Sequence, residues 1–179
     1  GVVEGIHQVQ IRPAQGEVRE LEVSVPAGLS IADVAGTGLS SWRFDPEGSR
    51  LRISLSPAQS APFVVTIQSQ RTTGPLPYNV TLSVPSLQGV AGQVGTVGLA
   101  TGEEVQLESS TAEGFSVINL EDFPLSLKPA GAAVAPTVRR AYRYSGAGGT
   151  LVLRAGAVEP DARGEAQQTL SLGEDRTLL

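Results

Sequence analysis

The stretch Arg50-Leu-Arg-Ile-Ser-Leu55 alternates between polar and apolar residues. A period of two places successive side chains on opposite faces of an extended chain, so this stretch predicts a β-strand with one buried face. The same period recurs along the chain, in 21–25, 63–67, 78–84, 105–107 and 151–153. Turn signals rich in proline and glycine separate these segments. The pattern therefore predicts antiparallel strands, each with one solvated face.

The number of candidate strands indicates the architecture. We expect about 12 to 14 strands at a spacing of roughly 8 to 12 residues, which is typical of all-β antiparallel sandwiches. That number is too large for one small immunoglobulin-like domain. The sequence therefore predicts two tandem Ig-like β-sandwiches, with one large two-sheet sandwich as the alternative.

A domain boundary is expected in the region 85–92. Glycine recurs there and just beyond at every third position, at Gly89, Gly92, Gly95 and Gly98. Interior glycine weakens a strand, so we interpret this region as a linker that passes into a bulged strand. The first predicted sandwich spans 1–85, and the second spans 86–179, with truncation at its C-terminus as an open alternative.

Helical signals are weak. Ser30-Ile-Ala-Asp33 resembles a capping box, the arrangement that often begins a helix. The apolar pattern ends at Gly36, within two turns, so we predict a strand or a single helical turn for 29–35.

Composition excludes several classes of function. The 179 residues include 13 basic and 18 acidic ones, for a net charge of −5. A nucleic-acid partner is not expected, because duplex binding requires basic side chains that displace phosphate counterions. Direct membrane insertion is not expected either, because the chain has no run of about 20 apolar residues. Cysteine is absent, which excludes disulfides and a cysteine nucleophile.

The single histidine is the first residue to consider for catalysis. His7 shares its phase with Val9 and Ile11, so we expect it on the buried face of the first strand. A hydrolase would need a nucleophile and an orienting acid beside it. Because no Gly-x-Ser-x-Gly motif surrounds any serine, we assign no catalytic residue, no cofactor and no enzymatic activity.

Two acidic loops are candidate calcium ligands, because Ca²⁺ accepts carboxylate and carbonyl oxygens from irregular loops. One contains Asp45 and Glu47, and the other contains Asp161. Neither has the regular acidic spacing of a known calcium loop. We interpret both as solvated turns first and as calcium sites only second, and we assign no metal.

Aromatic and arginine side chains provide the candidate binding residues. The run 138–144 alternates, so Arg139 and Arg143 are expected on one face with Tyr142 and Tyr144 on the other. Arginine and tyrosine together suit an anionic glycan or an acidic protein surface, but we interpret this run first as a strand with solvated arginines and partly buried tyrosines. Trp42 is expected in the core, and it would serve as a sugar platform only if it were exposed.

Two stretches carry a resemblance. Val18-Arg-Glu-Leu-Glu-Val-Ser-Val-Pro-Ala-Gly-Leu-Ser-Ile-Ala-Asp-Val-Ala-Gly36, followed by 39–42, and Leu170-Ser-Leu-Gly-Glu-Asp-Arg-Thr177 resemble the tandem β-domains of large, uncharacterised bacterial envelope or exported proteins. The resemblance implies an extracytoplasmic location in the periplasm, in the cell envelope or outside the cell. It contains no catalytic motif, so it implies no functional residue.

These observations predict a non-catalytic structural or protein-interaction module. The absence of methionine suggests a processed chain or an excised piece of a larger protein. Its partner would be another protein or a neighbouring domain of the same chain. A carbohydrate-binding module is the alternative, with a glycan as partner, and a hydrolase is the third hypothesis.

Overall fold

The computed structural model describes residues 1–89, 93–124, 137–146 and 148–158. These residues form thirteen β-strands and one short 3-10 helix, Leu120–Asp122. In chain order the strands are β1 (Val2–Ile11), β2 (Val18–Ser24), β3 (Ser30–Gly36), β4 (Leu39–Asp45), β5 (Arg50–Gln59), β6 (Phe63–Thr72), β7 (Tyr78–Ser83), β8 (Ser86–Leu87), β9 (Val94–Thr101), β10 (Val105–Glu113), β11 (Phe115–Ile118), β12 (Thr137–Ser145) and β13 (Thr150–Ala157). The predicted all-β class is confirmed.

The strands form three antiparallel sheets. The largest has six strands in the order β11-β12-β9-β1-β6-β3. A four-stranded sheet has the order β4-β5-β2-β8, and a three-stranded sheet has the order β10-β13-β7. The three sheets pack together as a β-sandwich, which confirms the predicted architecture, while the immunoglobulin-like detail stays a prediction.

A first hydrophobic core lies between the four-stranded sheet and strands β1, β6 and β3. It contains the apolar phase of each strand, as alternation requires. Leu51 and Ile53 of β5 are completely buried, at 0% exposure, and Ile67 of β6 follows at 1%. The alternating stretch 50–55, which predicted a strand, therefore provides the centre of this core.

A second hydrophobic core lies between the three-stranded sheet and strands β9 and β12. Leu151 and Leu153 of β13 face Tyr142 and Tyr144 of β12 across this core. Val3 of β1 packs against it as well. The second core is thus separate in its residues from the first, but β1 contributes to both.

Strand β1 joins the two cores. Val9 and Ile11 pack in the first core, and Val3 packs against the second. These residues are all odd-numbered, so they point to the same face of the strand, and both smaller sheets cover the same face of the six-stranded sheet.

Strand pairing also crosses the predicted boundary at residue 85. β7 pairs with β13 along Tyr78–Ser83, and β8 pairs with β2. The structure therefore shows two large cores, as tandem sandwiches would have, and one continuous sheet, as a single large sandwich would have. The boundary between 1–85 and 86–179 stays a prediction.

The segment with a possible helical turn is strand β3. Its backbone pairs with β6, and the Ser30 hydroxyl donates to the carbonyl oxygen of Gln70 at 3.2 Å. The serine therefore bonds to the neighbouring strand and does not cap a helix. Of the two alternatives for 29–35, the structure shows the strand.

Candidate functional site: a cavity where two strands separate

The six-stranded sheet opens between β1 and β9. Within the described part of the chain, the two strands pair only at Gln8 with Thr96 and at Val9 with Gly95. β1 continues to Val2 and β9 continues to Thr101, but those halves of the strands are not paired with each other. A cavity of about 690 Å³ lies at this opening.

The cavity is largely apolar. Residues of β7, β9 and β13 form its inner wall, among them Val80, Val97, Leu151 and Leu153. On the outer side of the sheet, Phe123 lines the cavity where it covers β9. Small-molecule sites in proteins enclose roughly 300–1,000 Å³ and are mostly apolar, so the size and the lining match such a site.

One polar pair lies in this wall. The Nε2 atom of His7 lies 3.0 Å from the Oγ atom of Ser69, within hydrogen-bond distance. Both residues line the cavity, and both are buried, at 7% and 2% exposure. The strand pairing explains the contact, because β1 and β6 place Gly5 opposite Ser69 on the face that also carries His7.

Gly5 leaves the room that this pair occupies. A Cβ atom built on Gly5 would lie 2.6 Å from the Ser69 Oγ and 2.8 Å from the His7 Nε2. Both distances are shorter than real Cβ contacts, so any larger residue would displace the pair. The glycine is therefore a positioning residue for the hydrogen bond between His7 and Ser69.

His7 is neutral at physiological pH. Desolvation by burial lowers the pKa of His7 from 6.5 to about 4, because the charged form loses its hydration. Its second ring nitrogen, Nδ1, has no hydrogen-bond partner among the residues that the structure describes. The imidazole is therefore a buried, neutral group in the cavity wall, with one nitrogen that is unpaired among the described residues.

The geometry of the pair meets one condition for a serine nucleophile, namely a histidine within hydrogen-bond distance. A triad also needs an acid that orients the histidine through its other nitrogen. No carboxylate contacts Nδ1 within the described residues. A histidine with a pKa of about 4 is in addition a weak base at neutral pH.

Sequence reasoning placed His7 correctly on the buried face, but it missed Ser69 and Gly5. Ser69 follows Phe63, Val65 and Ile67 at every second position of β6. This alternation could have predicted that the Ser69 side chain lies on the buried face of the strand. The pairing register between β1 and β6 is not encoded in either strand alone. The contact between His7 and Ser69 could not be predicted without it.

The three predicted aromatic binding residues do not share a surface. Tyr142 and Tyr144 are buried in the second core at 3% exposure each, and both rings pack edge-on against Phe115. Trp42 is partly buried and packs against the first core. A sugar platform needs coplanar exposed rings, and these three rings do not provide one.

The two predicted arginines are exposed on β12. The Arg139 Nε donates to the Oγ1 of Thr101 at 3.3 Å, next to a bulge in the pairing with β9. Arg143 is exposed and pairs through its backbone with Thr96 and Ser116. Arg140 instead reaches Ser110 on the three-stranded sheet, where the Tyr142 hydroxyl also bonds.

The first candidate calcium loop is a tight turn. The backbone N–H of Glu47 donates to the Oδ1 of Asp45 at 3.2 Å, so the aspartate stabilises the turn between β4 and β5. In the described ranges, no group of three or more His, Cys, Asp or Glu side chains could hold a metal ion. Asp161 of the second loop lies outside the described residues.

No described helix is long and apolar enough to cross a membrane. Comparisons of this chain with protein-family models, with curated proteins and with solved structures find no match.

Proposed function

We propose that this chain is a non-catalytic structural module of a larger bacterial protein of the envelope or exterior, in which it spaces and contacts neighbouring protein domains. The observation that supports this role is the position of β1, which contributes side chains to both hydrophobic cores. The bacterial source and the extracytoplasmic location come from the resemblance of 18–36 to tandem β-domains.

A shared strand suits a spacer because it opposes bending between the two cores. β1 pairs with β6 along its whole length, and the Val9 backbone pairs with Gly95 of β9. Separation of the cores would expose backbone groups and the apolar residues that β1 carries, and both changes raise the free energy. Force applied at one core would therefore reach the other.

Protein contact is proposed to occur through strand edges. Among the described strands, β11 is the last of the six-stranded sheet, and its Val117 side chain is 76% exposed. An edge strand has unpaired backbone donors and acceptors, which can add a strand from a partner. A short edge with an exposed valine is consistent with contact between domains.

Unfolding cooperativity tests the spacer. Leu51→Ala opens a void in the first core and Leu151→Ala opens one in the second, each at a cost of about 2–5 kcal/mol. We expect urea unfolding, followed by circular dichroism and by Trp42 fluorescence, to show one transition that both substitutions shift. Val152→Ala, at a 46% exposed position of the same strand as Leu151, is the control and should shift it little.

Two separate transitions, each moved by only one of the two core substitutions, would show that the cores unfold independently. That result would remove the basis for a single spacer module.

A hydrolase is the second candidate, and the hydrogen bond between His7 and Ser69 is the observation that favours it. A fluorophosphonate probe reacts with activated serine hydroxyls, so it tests this candidate directly. We expect no labelling of the wild-type chain above that of Ser69→Ala. Stoichiometric labelling at Ser69 that is lost in His7→Leu would favour the hydrolase and contradict the non-catalytic proposal.

A further inference from the structure

We propose that the cavity between β1 and β9 binds a neutral, elongated apolar molecule that carries one hydroxyl group, which hydrogen-bonds to His7. This inference goes beyond the structural role. It concerns a ligand and does not depend on the neighbouring domains.

The volume and wall of the cavity determine the apolar part of the ligand. About 690 Å³ is enough for a medium-length alkyl chain. The inner wall presents side chains such as Val80, Leu151 and Leu153, which offer dispersion contacts and no hydrogen bonds. A polar ligand would lose its hydration there without compensation, whereas an alkyl chain gains about 0.8 kcal/mol per buried CH₂.

His7 determines the polar group. Its Nε2 is engaged with Ser69, and its Nδ1 has no partner among the described residues although the side chain is buried. An unpaired buried polar atom is costly, and a ligand atom that pairs with it removes this cost. A hydroxyl fits either tautomer of the imidazole, because it can both donate and accept.

Charge excludes anionic head groups. Glu4 is the one charged side chain among the described residues that line the cavity, so the lining provides no cationic side chain that could pair with a carboxylate. The imidazole stays neutral at pH 7, so it provides no compensating positive charge. Burial of an unpaired carboxylate would then be strongly unfavourable. A neutral alcohol carries no charge, so it needs no cationic partner and buries no unpaired carboxylate.

Access is available where the strands separate. Val2 of β1 is 58% exposed and Leu120 of the 3-10 helix is 48% exposed, and both line the cavity. These side chains place apolar surface at the entrance, along which an alkyl chain can enter without a polar barrier. The unpaired halves of β1 and β9 form the sides of this entrance.

Competition with a neutral fluorescent probe tests the proposal. N-phenyl-1-naphthylamine is titrated into the folded chain at pH 7 and then displaced with 1-octanol, octanoate or 1-chlorooctane. We expect 1-octanol to displace the probe at the lowest concentration and octanoate at a concentration at least tenfold higher. Failure of 1-octanol to displace it, or failure of the probe to bind, would show that the cavity is a packing void only.

Two variants distinguish the contribution of the ligand's head group to binding from that of its alkyl chain. His7→Leu should weaken 1-octanol binding by about threefold to tenfold, the worth of one hydrogen bond, and leave 1-chlorooctane within twofold. Glu4→Gln, at an exposed position, should strengthen octanoate binding and leave 1-octanol unchanged. If His7→Leu does not fold, the octanoate and 1-octanol affinities of Glu4→Gln still test the proposal.

Equal weakening of 1-octanol and 1-chlorooctane in His7→Leu would overturn the role of His7. An unchanged octanoate affinity in Glu4→Gln would overturn the charge selection. Leu153→Phe fills part of the cavity, so an unchanged 1-octanol affinity in that variant would place the binding elsewhere and reject the site.

Discussion

The phenol ring of Tyr144 lies against the backbone of Gly95, its partner in the neighbouring strand. A Cβ atom on Gly95 would overlap the ring at Cζ and at the hydroxyl oxygen. The glycine therefore allows a buried tyrosine to lie flat across β9. Gly98 has the same role for Phe123 on the opposite face of the sheet, where a Cβ would lie 2.6 Å from Cζ of that ring.

We expect Gly95→Ala to destabilise the protein by about 1–3 kcal/mol, because the added methyl group forces the ring of Tyr144 out of its place. Urea unfolding at pH 7 measures the change. Gly74→Ala is the matched control, because a Cβ at that position has no atom within 4 Å. The control should change stability by less than about 1 kcal/mol. Equal effects at both positions would contradict the packing explanation.

Stability should fall as pH decreases from 6.5 towards 4. The pKa of His7 is 6.5 when unfolded and about 4 in the folded protein, so the unfolded chain binds the proton first. The contribution of His7 is therefore fully present above pH 6.5 and is lost as pH falls through this window, by about 3 kcal/mol in total.

Carboxylates also titrate near the lower end of that window, so the measurement is the difference between wild type and His7→Leu. We expect urea midpoints of the wild type to decrease more steeply from pH 6.5 to pH 4 than those of the variant. Parallel pH profiles would show that His7 is not buried in its neutral form.

Gln93 should be important for stability, although it is a polar residue in the interior. Its Oε1 accepts from the N–H of Leu87 at 2.7 Å, and its Nε2 donates to the Pro85 carbonyl at 3.0 Å and to the Tyr144 hydroxyl at 3.2 Å. Burial raises the pKa of Tyr144, and the hydrogen bond from Gln93 opposes that shift. The amide thus connects the segment after β7 to β12.

We expect Gln93→Ala to cost about 2–3 kcal/mol, because buried groups that it pairs would lose their partner. Thermal or urea unfolding gives the value. Gln10→Ala, at an exposed position of β1, is the control and should change stability by less than about 0.5 kcal/mol. A similar small change at both glutamines would contradict the role of Gln93.

The ion pairs of Glu22 with Arg50 and Arg52 should contribute little. The distances from the arginine Nε atoms to the carboxylate are 3.5 and 4.0 Å, and the arginine side chains are 58% and 60% exposed. Glu22→Gln is expected to cost less than about 1 kcal/mol, since solvent screens exposed pairs. Urea unfolding at low and high salt checks this, and a larger cost would show a buried contribution.

Alternation in the sequence was sufficient to predict the strands and the residues that face the cores. It predicted the strand around Ile53 and the buried face that carries His7, because the period of two is a local property. It could not predict that Ser30 would bond to Gln70 in a neighbouring strand, since sheet pairing is a non-local interaction that overrides a local capping pattern.

The candidate site was less predictable than the fold for the same reason. Its polar pair depends on the register of β1 against β6, and its cavity depends on where β1 and β9 cease to pair. The repeated glycines indicated a linker and a bulged strand. Gly95 and Gly98 lie in strand β9, and the pattern did not predict that two aromatic rings approach the backbone closely there.

The central position of β1 in the six-stranded sheet has a kinetic consequence. His7 must meet Ile67 and Gln8 must meet Thr96, so this strand gains its two neighbours only after long stretches of chain have come together. Closure of such long loops is entropically costly, and β proteins with distant pairings fold in milliseconds to seconds. The strand at the start of the chain is therefore expected to be among the last to acquire its native neighbours, and synthesis of the chain must pass β9 before the sheet can close.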